Sequence, residues 1–333
     1  MKNTRVIGLV LLVGGGWWVL ESRSSTLASR PVGAGREVTC TYLAQVEHLP
    51  HDARIVDVWV PLAKTGREQR ILHRDVRAPV PYTIAQDHDY GNAILHVALT
   101  PPFPDHLEIA IDYRARLLGD DDAAEPLPPP VDELQRDLQP NGLVIIDDEV
   151  RARARQATAG QCTPVTRAKG IYDHVRQSMV YDKTVPGWGR GDTRRACRLG
   201  KGNCTDFHSL FISMARAEHI PARFKIGVVI PTALSGIIPG YHCWAEFYVD
   251  GQGWMPVDAS EAWKHPELAD YYFGAHDPNR FLISTGRDIQ LVPRQQGEPV
   301  NIFFSPYVEV DGQPFPDVGV EVRFADLQQG RAT

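Results

Sequence analysis

The sequence has no excess of positive charge. Its 35 lysine and arginine residues are outnumbered by 41 aspartate and glutamate residues, which gives a formal net charge of -6. Proteins that bind nucleic acid carry a basic patch or stripe, so no nucleic-acid partner is expected. Apolar residues at 43% and charged residues at 23% are ordinary for a globular protein, and 333 residues suffice for two domains.

The chain also lacks an internal repeat and an EF-hand spacing. The acidic triplet Asp120-Asp121-Asp122 therefore favours a solvated connector over a calcium site. Proline follows between Pro126 and Pro130, a composition that buries little surface. Residues 119–140 are accordingly predicted to be an acidic, proline-rich linker. Neither a metal ion nor a cofactor is expected.

A long hydrophobic run is missing as well. Lys2 and Arg5 precede an apolar stretch from Val6 to Leu20, which is short against the roughly 20 residues of a membrane span. Residues 1–33 are therefore predicted to be a signal peptide or an N-terminal membrane anchor. No clean cleavage site follows, so cleavage is left open. The protein is expected to be exported, either periplasmic or anchored to the cytoplasmic membrane facing outward.

Cysteine is scarce, and the five cysteines are an odd number. In an oxidising compartment, an odd count leaves one thiol free or paired outside the chain. If Cys204 is the free thiol, the other four could form up to two bridges, although the sequence does not determine the pairing. These four are Cys40, Cys162, Cys197 and Cys243.

Residues 34–118 have the pattern of short β-strands. Val56, Val58 and Val60 alternate with other residues before Pro61, and a second alternating strand runs from Leu107 to Tyr113. Several strands at this spacing predict a small antiparallel β-sandwich. No catalytic residue types cluster there, so its expected role is structural or partner-facing.

One short stretch combines a helix start with a thiol. Asn203 is a good N-cap and Asp206 is an acid in the first turn, so a helix should begin at or beside Cys204. The position puts the thiol at the positive end of a helix dipole, where the thiolate is favoured. An apolar face at helical spacing continues the helix through Phe207, Leu210, Phe211 and Met214.

Other elements follow the same kinds of signal. A hairpin is predicted from His242 to Asp258, with Asp250-Gly251 at its turn. Further expected elements are helices at 150–157 and 165–180, a loop at 181–202, a strand at 223–230, a loop at 231–240 and closing strands at 302–304 and 308–310.

The predicted hairpin would hold His242 and Asp258 near one another on neighbouring strands. A cysteine nucleophile needs a base to take its proton and a third group to orient that base. Cys204, His242 and Asp258 supply these types in chain order. However, the chain has 12 histidines and an aspartate beside a turn is common, so the spacing alone leaves a structural role open.

Four segments together resemble the core of the transglutaminase-like superfamily. The resemblance implies an α+β fold with a papain-like core, in which the cysteine helix packs on an antiparallel sheet behind a small β-sandwich domain. It also implies that Cys204 is the nucleophile, His242 the base and Asp258 the orienting acid. The segments are Gly202-Asn203-Cys204-Thr205-Asp206, Ile220-Pro221-Ala222-Arg223, His242-x-Trp244-Ala245-Glu246-x-Tyr248 and Gly253-Trp254-x-Pro256-Val257-Asp258.

Residues 141–333 are then the expected catalytic domain with closing C-terminal strands. Four residues near the triad are weaker candidates for lining the substrate or the oxyanion hole: Trp188, Asn203, Trp244 and Glu246. Cys243 beside His242 could suggest zinc, but strand alternation directs its side chain to the opposite sheet face, so no metal site is expected.

The family includes crosslinking transglutaminases, cysteine proteases and members without catalysis. We therefore expect an exported enzyme that forms an acyl-thioester from a protein or peptide amide and completes hydrolysis or transamidation. The alternative is a catalytically silent binding or scaffold module with the sandwich as its docking surface. A third possibility is a structural protein in which Cys204 belongs to a disulfide.

Overall fold

The structure, a computed structural model, describes residues 35–119, 128–275 and 278–327. The expected signal or anchor at residues 1–33 and the acidic triplet at 120–122 lie outside these ranges. The N-terminal part consists of β1 (Arg36–Glu47), β2 (Val56–Leu62), β3 (Gln69–Arg77), β4 (Thr83–Gln86), β5 (Ala93–Leu99) and β6 (His106–Leu117).

The remaining elements alternate between helices and strands. The helical part contains α1 (Val131–Arg136), α2 (Asp148–Ala157), α3 (Pro164–Ser178), β7 (Val180–Tyr181), α4 (Thr193–Leu199), β8 (Lys201–Gly202) and α5 (Cys204–Ala217). The last part contains β9 (Ala222–Val229), β10 (Ser235–Ile238), β11 (His242–Val249), β12 (Gly253–Val257), α6 (Ala259–Lys264), a 3-10 turn (Pro266–Leu268), β13 (Arg280–Thr285), β14 (Tyr307–Val310), β15 (Gln313–Pro314) and β16 (Val318–Asp326).

Two five-stranded antiparallel sheets form the sandwich, in the orders β10-β16-β1-β6-β3 and β15-β14-β2-β5-β4. Every second side chain of a strand points to the same face of its sheet, and one face of each sheet is buried. Val56, Val58 and Val60 of β2 are all buried, as are Val38 and Tyr42 of β1. The two faces contribute to one hydrophobic core. The sandwich predicted from the alternating pattern is therefore present.

The C-terminal strands pair with the N-terminal strands. β16 lies antiparallel to β1, with Val38 opposite Asp326, and β14 lies antiparallel to β2. The predicted closing strand at 308–310 is part of β14, which pairs with β2 in the sandwich, whereas the sequence pattern predicted no strand at the position of β16. The division into the predicted domains stays a prediction.

A separate four-stranded antiparallel sheet has the strand order β12-β11-β9-β13. α5 packs against β11 and β9, and every residue from Cys204 to Arg216 is buried. Together with the sandwich, this helix on an antiparallel sheet confirms the predicted α+β fold with a papain-like core. The predicted helix at Cys204 and the hairpin from His242 are both observed.

Several local predictions were wrong. Residues 302–304 are not a strand; Phe303 packs in a small cluster with Trp59 and Ile94, so burial rather than strand pairing explains their apolar character. The linker at 119–140 contains α1, the loop at 181–202 contains β7, α4 and β8, and the loop at 231–240 contains β10. The local sequence did not predict β10 because its partner strand, β16, is distant in the chain.

Candidate active site

Cys204 is the first residue of α5, and its position is fixed by a capping box. The Asn203 side chain accepts a hydrogen bond from the Thr205 N–H at 3.0 Å, while the Asp206 carboxylate accepts from the Asn203 N–H at 3.0 Å. These bonds satisfy N–H groups that have no acceptor inside the helix. They hold the Cys204 thiol at the positive end of the helix dipole. Cys204 itself is only 2% exposed.

Asp206 also ties a glycine-rich loop to this helix end. Its two oxygens accept hydrogen bonds from Gly189 N–H at 2.8 Å and Gly191 N–H at 3.2 Å. Both glycines have positive φ, and a Cβ at Gly191 would collide with the Ser209 hydroxyl. Burial raises the pKa of Asp206, and the backbone N–H groups oppose that effect. The loop that carries Trp188 is therefore fixed beside the thiol by a buried carboxylate.

His242 and Asp258 meet at the end of the β11–β12 hairpin. His242 opens β11 and Asp258 directly follows β12, so antiparallel pairing brings them together. The His242 Nε2 lies 2.6 Å from the Asp258 Oδ2, and both side chains are buried. Burial lowers the pKa of His242, but the Asp258 carboxylate and the Cys204 sulfur together outweigh it, and the net pKa rises to about 10. His242 is thus held as an imidazolium.

His242 and Cys204 are close enough to influence each other: His242 lowers the pKa of Cys204, and Cys204 raises the pKa of His242. Because the His242 Nε2 faces Asp258, the other ring nitrogen, Nδ1, is the one left for the thiol. The hydrogen bond between His242 and Asp258 completes the group. The structure brings together the three residues that the sequence singled out.

Cys243 lies on the helix side of β11, against the N terminus of α5. Its Sγ is 3.5 Å from the Thr205 Oγ1. The neighbouring Cys243 thiol is the largest influence that lowers the pKa of Cys204 well below the ordinary value; burial opposes it, and His242 adds to it. The alternation prediction was right that Cys243 faces away from His242, but that face is the one that carries the nucleophilic thiol.

Sequence reasoning missed most of the groups around Asp258. Arg280 Nη1 lies 2.8 Å from Oδ2, while the Ser260 hydroxyl donates to Oδ1 at 2.8 Å and the Glu261 N–H at 2.9 Å. The His208 Nε2 lies 3.4 Å from Oδ1. His208 is one helical turn after Cys204, a spacing that could have identified it. No local pattern predicted that Arg280, the first residue of β13, would contact Asp258.

Tyr241 also contacts the N terminus of α5, and the sequence analysis did not identify it. Its hydroxyl accepts a hydrogen bond from the Asn203 side-chain amide at 2.9 Å and lies 3.3 Å from the Thr205 Oγ1. The residue directly before His242 therefore ties the start of β11 to the start of α5. Its position next to the predicted base was the only signal for it in the sequence.

The weaker candidates take different positions. Asn203 caps the helix, as described above. Trp188 is 39% exposed in the loop held by Asp206, and its backbone N–H donates to the Val185 carbonyl at 3.2 Å. Trp244 and Glu246 are buried, and a role for them in lining the site stays a prediction. Trp244 stacks near His242 and Arg280, whereas Glu246 pairs with Arg223 at 2.8 Å.

All five cysteines are unbridged thiols in this structure. A disulfide at Cys204 is thus not present, and none of the four others is paired. Within the described ranges, no group of three or more histidine, cysteine, aspartate or glutamate side chains is arranged to hold a metal ion. No helix of the described residues is long and apolar enough to cross a membrane. Export stays a prediction from residues 1–33.

Comparison with known proteins is consistent with this geometry. An uncharacterized protein of Haemophilus influenzae is 27% identical over 301 residues, covering 78% of this chain and 81% of the relative. The structure of a candidate cysteine protease from Cytophaga hutchinsonii has a TM-score of 0.59 at 16% identity, covering 88% of this chain and 91% of that one.

A lower similarity relates the chain to the periplasmic domain of TgpA from Pseudomonas aeruginosa, with a TM-score of 0.37, 15% identity and coverage of 73% and 92%. Residues 151–259, which contain Cys204, His242 and Asp258, match the model of the transglutaminase-like superfamily. The core of this chain therefore resembles the transglutaminase-like superfamily.

Proposed function

We propose that the protein is an exported, cysteine-dependent acyl-transfer enzyme that acts on amide bonds of proteins or peptides. The observation that carries this proposal is the grouping of Cys204, His242 and Asp258 at the N terminus of α5, where His242 Nε2 lies 2.6 Å from Asp258 Oδ2 and His242 lowers the pKa of Cys204. A nucleophile, a base and an acid that orients the base are the parts that covalent acyl transfer requires. The transglutaminase-like core supports the same chemistry.

In the first step, the Cys204 thiolate attacks the carbonyl carbon of the amide, a C–S bond forms and an electron pair moves to the carbonyl oxygen. The N–H of Cys204 is at the first helical position, where it has no acceptor inside the helix. We assign it as one donor to this oxyanion. Trp188, in the loop fastened beside the helix end, is the candidate for the second donor.

The tetrahedral intermediate then collapses. The His242 imidazolium gives its proton to the amide nitrogen, the C–N bond breaks, the amine leaves, and a thioester and a neutral His242 remain. Water or a primary amine next attacks the thioester carbonyl, and His242 takes the proton of that nucleophile. The C–S bond breaks, which releases an acid or a new amide and restores the thiolate–imidazolium pair.

A second candidate is a catalytically silent module that binds a partner through the sandwich. The observation in its favour is that Cys204 is 2% exposed, so a substrate has little access to the sulfur in this arrangement. The low pKa of Cys204 and the high pKa of His242 favour the enzyme, because a silent module has no use for a stabilised thiolate.

The test is acylation of Cys204 by a small activated ester such as p-nitrophenyl acetate. We expect a burst of one equivalent of nitrophenolate and an acetyl group on the Cys204 peptide in mass spectrometry. Cys204→Ala should abolish the burst, whereas Cys162→Ala, which removes an exposed thiol, should not. Acylation confined to Cys162 would instead support the silent module. Peptide amides with and without a primary amine then distinguish transamidation from hydrolysis.

Export is tested separately. The predicted signal or anchor at residues 1–33 should carry a fused alkaline phosphatase, which is active only outside the cytoplasm, to the periplasm of a bacterial host. Replacing Lys2 and Arg5 by glutamate should reduce that activity, because the positive flank of such a segment directs its insertion. An inactive fusion with unaltered residues 1–33 would rule out export by this segment.

A further inference from the structure

The carboxylate of Asp258 is held on both oxygens. Oδ1 accepts from the Ser260 hydroxyl and the Glu261 N–H, while Oδ2 is shared by His242 Nε2 at 2.6 Å and Arg280 Nη1 at 2.8 Å. Sharing one oxygen means that the base and the guanidinium compete for the same lone pairs and the same negative charge. The charge of Arg280 therefore acts on the site through Asp258, although Arg280 lies behind the histidine.

Arg280 is fixed from a second side by an aromatic ring. Its guanidinium carbon lies 5.1 Å from the centre of the Trp244 ring, and that ring stacks near the His242 imidazole at 6.3 Å with a 20° angle between the planes. Arg280 is buried at the first position of β13. A guanidinium keeps its positive charge in such a site. The packing therefore places a permanent cation behind the imidazole.

The charges of the buried groups balance only when Arg280 is counted. In the resting state the Cys204 thiolate and the Asp258 carboxylate are negative, and the His242 imidazolium and Arg280 are positive. After acylation, Cys204 and His242 are neutral, and Asp258 and Arg280 still cancel. Without Arg280 both states would contain one uncompensated buried negative charge, which a dry site tolerates poorly.

We propose that Arg280 is a positioning residue that keeps Asp258 ionised and fixed. Arg280 also weakens the electrostatic attraction between Asp258 and the proton on His242. The inference rests on the proposed acyl-transfer function. Because Arg280 takes part of the charge of Oδ2, the imidazolium is less strongly stabilised than it would be by the carboxylate alone. His242 can then release its proton to the leaving amine, which a fully stabilised imidazolium would retain.

Other groups also face this pair. Cys204 and His208 approach from α5, and Cys243 lies beside His242 on β11. Glu261 follows on α6, and Tyr172 of α3 senses the charge of Asp258. Arg280 is the one permanent cation among these neighbours, and replacing it by a neutral residue leaves the others in place.

The experiment is the titration of His242 by ¹⁵N NMR in a Cys204→Ala background. Removing the thiolate lowers the pKa of His242 from about 10, since the Cys204 sulfur raises it, and so brings the titration into an accessible range. The His242 signal is identified by its loss in the His242→Ala variant. Adding Arg280→Gln should raise the pKa of His242 by roughly one to two units, as expected for loss of a nearby like charge.

Two variants serve as controls. Arg280→Lys keeps a positive charge and should return the titration close to the starting value, and it preserves the test if Arg280→Gln does not fold. Arg36→Gln removes another buried arginine, whose Nε lies 2.8 Å from the Asp326 carboxylate within the sandwich, and it should leave His242 unchanged.

An unmoved His242 titration in Arg280→Gln, an equal shift in Arg36→Gln, or a shift in Arg280→Lys as large as in Arg280→Gln would each overturn the proposal. These readouts need no turnover. A failure of Cys204 acylation would therefore count against the enzyme, and a failure of the titration would count against Arg280 alone.

Discussion

At the scale of single residues, the thiol of Cys204 is controlled by two neighbours on the same strand. Cys243 influences it from the helix side of β11, and His242 from the start of the strand. A nearby thiol and a positive charge both favour the thiolate, and together they overcome the burial that favours the thiol. The reactivity of this cysteine is therefore a property of its neighbours.

The first prediction concerns the pH dependence of acyl transfer. Below the lowered pKa of Cys204 the sulfur is a thiol and cannot attack, whereas above the His242 pKa of about 10 the imidazole has no proton for the leaving amine. Acyl transfer should therefore be constant across neutral pH and fall on the alkaline side near pH 10. His242→Ala should lower the rate and delay alkylation of Cys204 until about pH 8.5 or above.

Iodoacetamide labelling followed by peptide mass spectrometry measures the alkylation, and the exposed Cys162 in the same sample is its internal reference. Identical labelling profiles for Cys204 and Cys162 would contradict an activated nucleophile.

The second prediction concerns the thiol of Cys243. Cys243→Ala removes the strongest stabiliser of the thiolate, so the pKa of Cys204 should rise by roughly one to two units, as for loss of a hydrogen bond to a charged group. Labelling of Cys204 at about pH 6 should slow accordingly. Cys243→Ser keeps a donor and should lie closer to the wild type. Equal profiles for the alanine variant and the wild type would refute the role of Cys243.

At the scale of elements, the N terminus of α5 organises the site. One carboxylate, Asp206, accepts three backbone N–H groups, from the capping residue Asn203 and from two glycines of the adjoining loop. The helix start, the thiol and the loop with Trp188 thus share one anchor. Because the anchor is buried, its loss leaves several donors without an acceptor.

The third prediction follows from this anchor. Asp206→Ala should lower the free energy of unfolding by about 3 kcal/mol or more, since each buried donor left unsatisfied costs about 1–3 kcal/mol. Urea denaturation measures the effect. The matched control is Asp192→Ala, which removes the cap of α4 and its single bond to the Arg195 N–H, at a cost of about 1 kcal/mol. Equal losses in the two variants would show that the loop contacts of Asp206 add nothing.

At the scale of the whole molecule, the two ends of the described chain are joined in one sheet. β16 is paired with β1 along nine residue pairs and also with β10, the strand that shortly precedes His242 in the chain. The buried ion pair of Arg36 with Asp326 fastens the end of β16 to the start of β1. The last strand thus connects the sandwich to the loop that leads into the active site.

The fourth prediction is that the last strand is required for folding. A chain ending after Asp317 lacks β16 and leaves β1 and β10 with unpaired edges, so it should be insoluble or lose its cooperative thermal transition. A chain ending after Leu327 retains β16 and should melt like the full-length protein. Circular dichroism on both measures the difference. A cooperative transition in the shorter chain would show that the sandwich closes without its C-terminal strand.

The sequence by itself determined the features whose causes are local. Asn203 and Asp206 marked the start of α5 because capping depends on neighbours only a few residues away, and the apolar spacing marked its buried face. Alternation identified β2, β6 and the hairpin from His242, and the motifs around Cys204, His242 and Asp258 identified the family. These signals sufficed for the fold class and for the three central residues of the site.

Tertiary structure decided what depends on partners distant in the chain. β10 exists because it pairs with β16, and a Gly/Pro-rich loop gives no sign of that partner. Cys243 was placed on the correct face of its strand, yet only the packing of α5 made that face the one beside the nucleophile. Arg280 joins Asp258 because β13 packs next to β9. Pairing across a sheet and charge balance in a buried site are set by three-dimensional proximity, which local patterns do not encode.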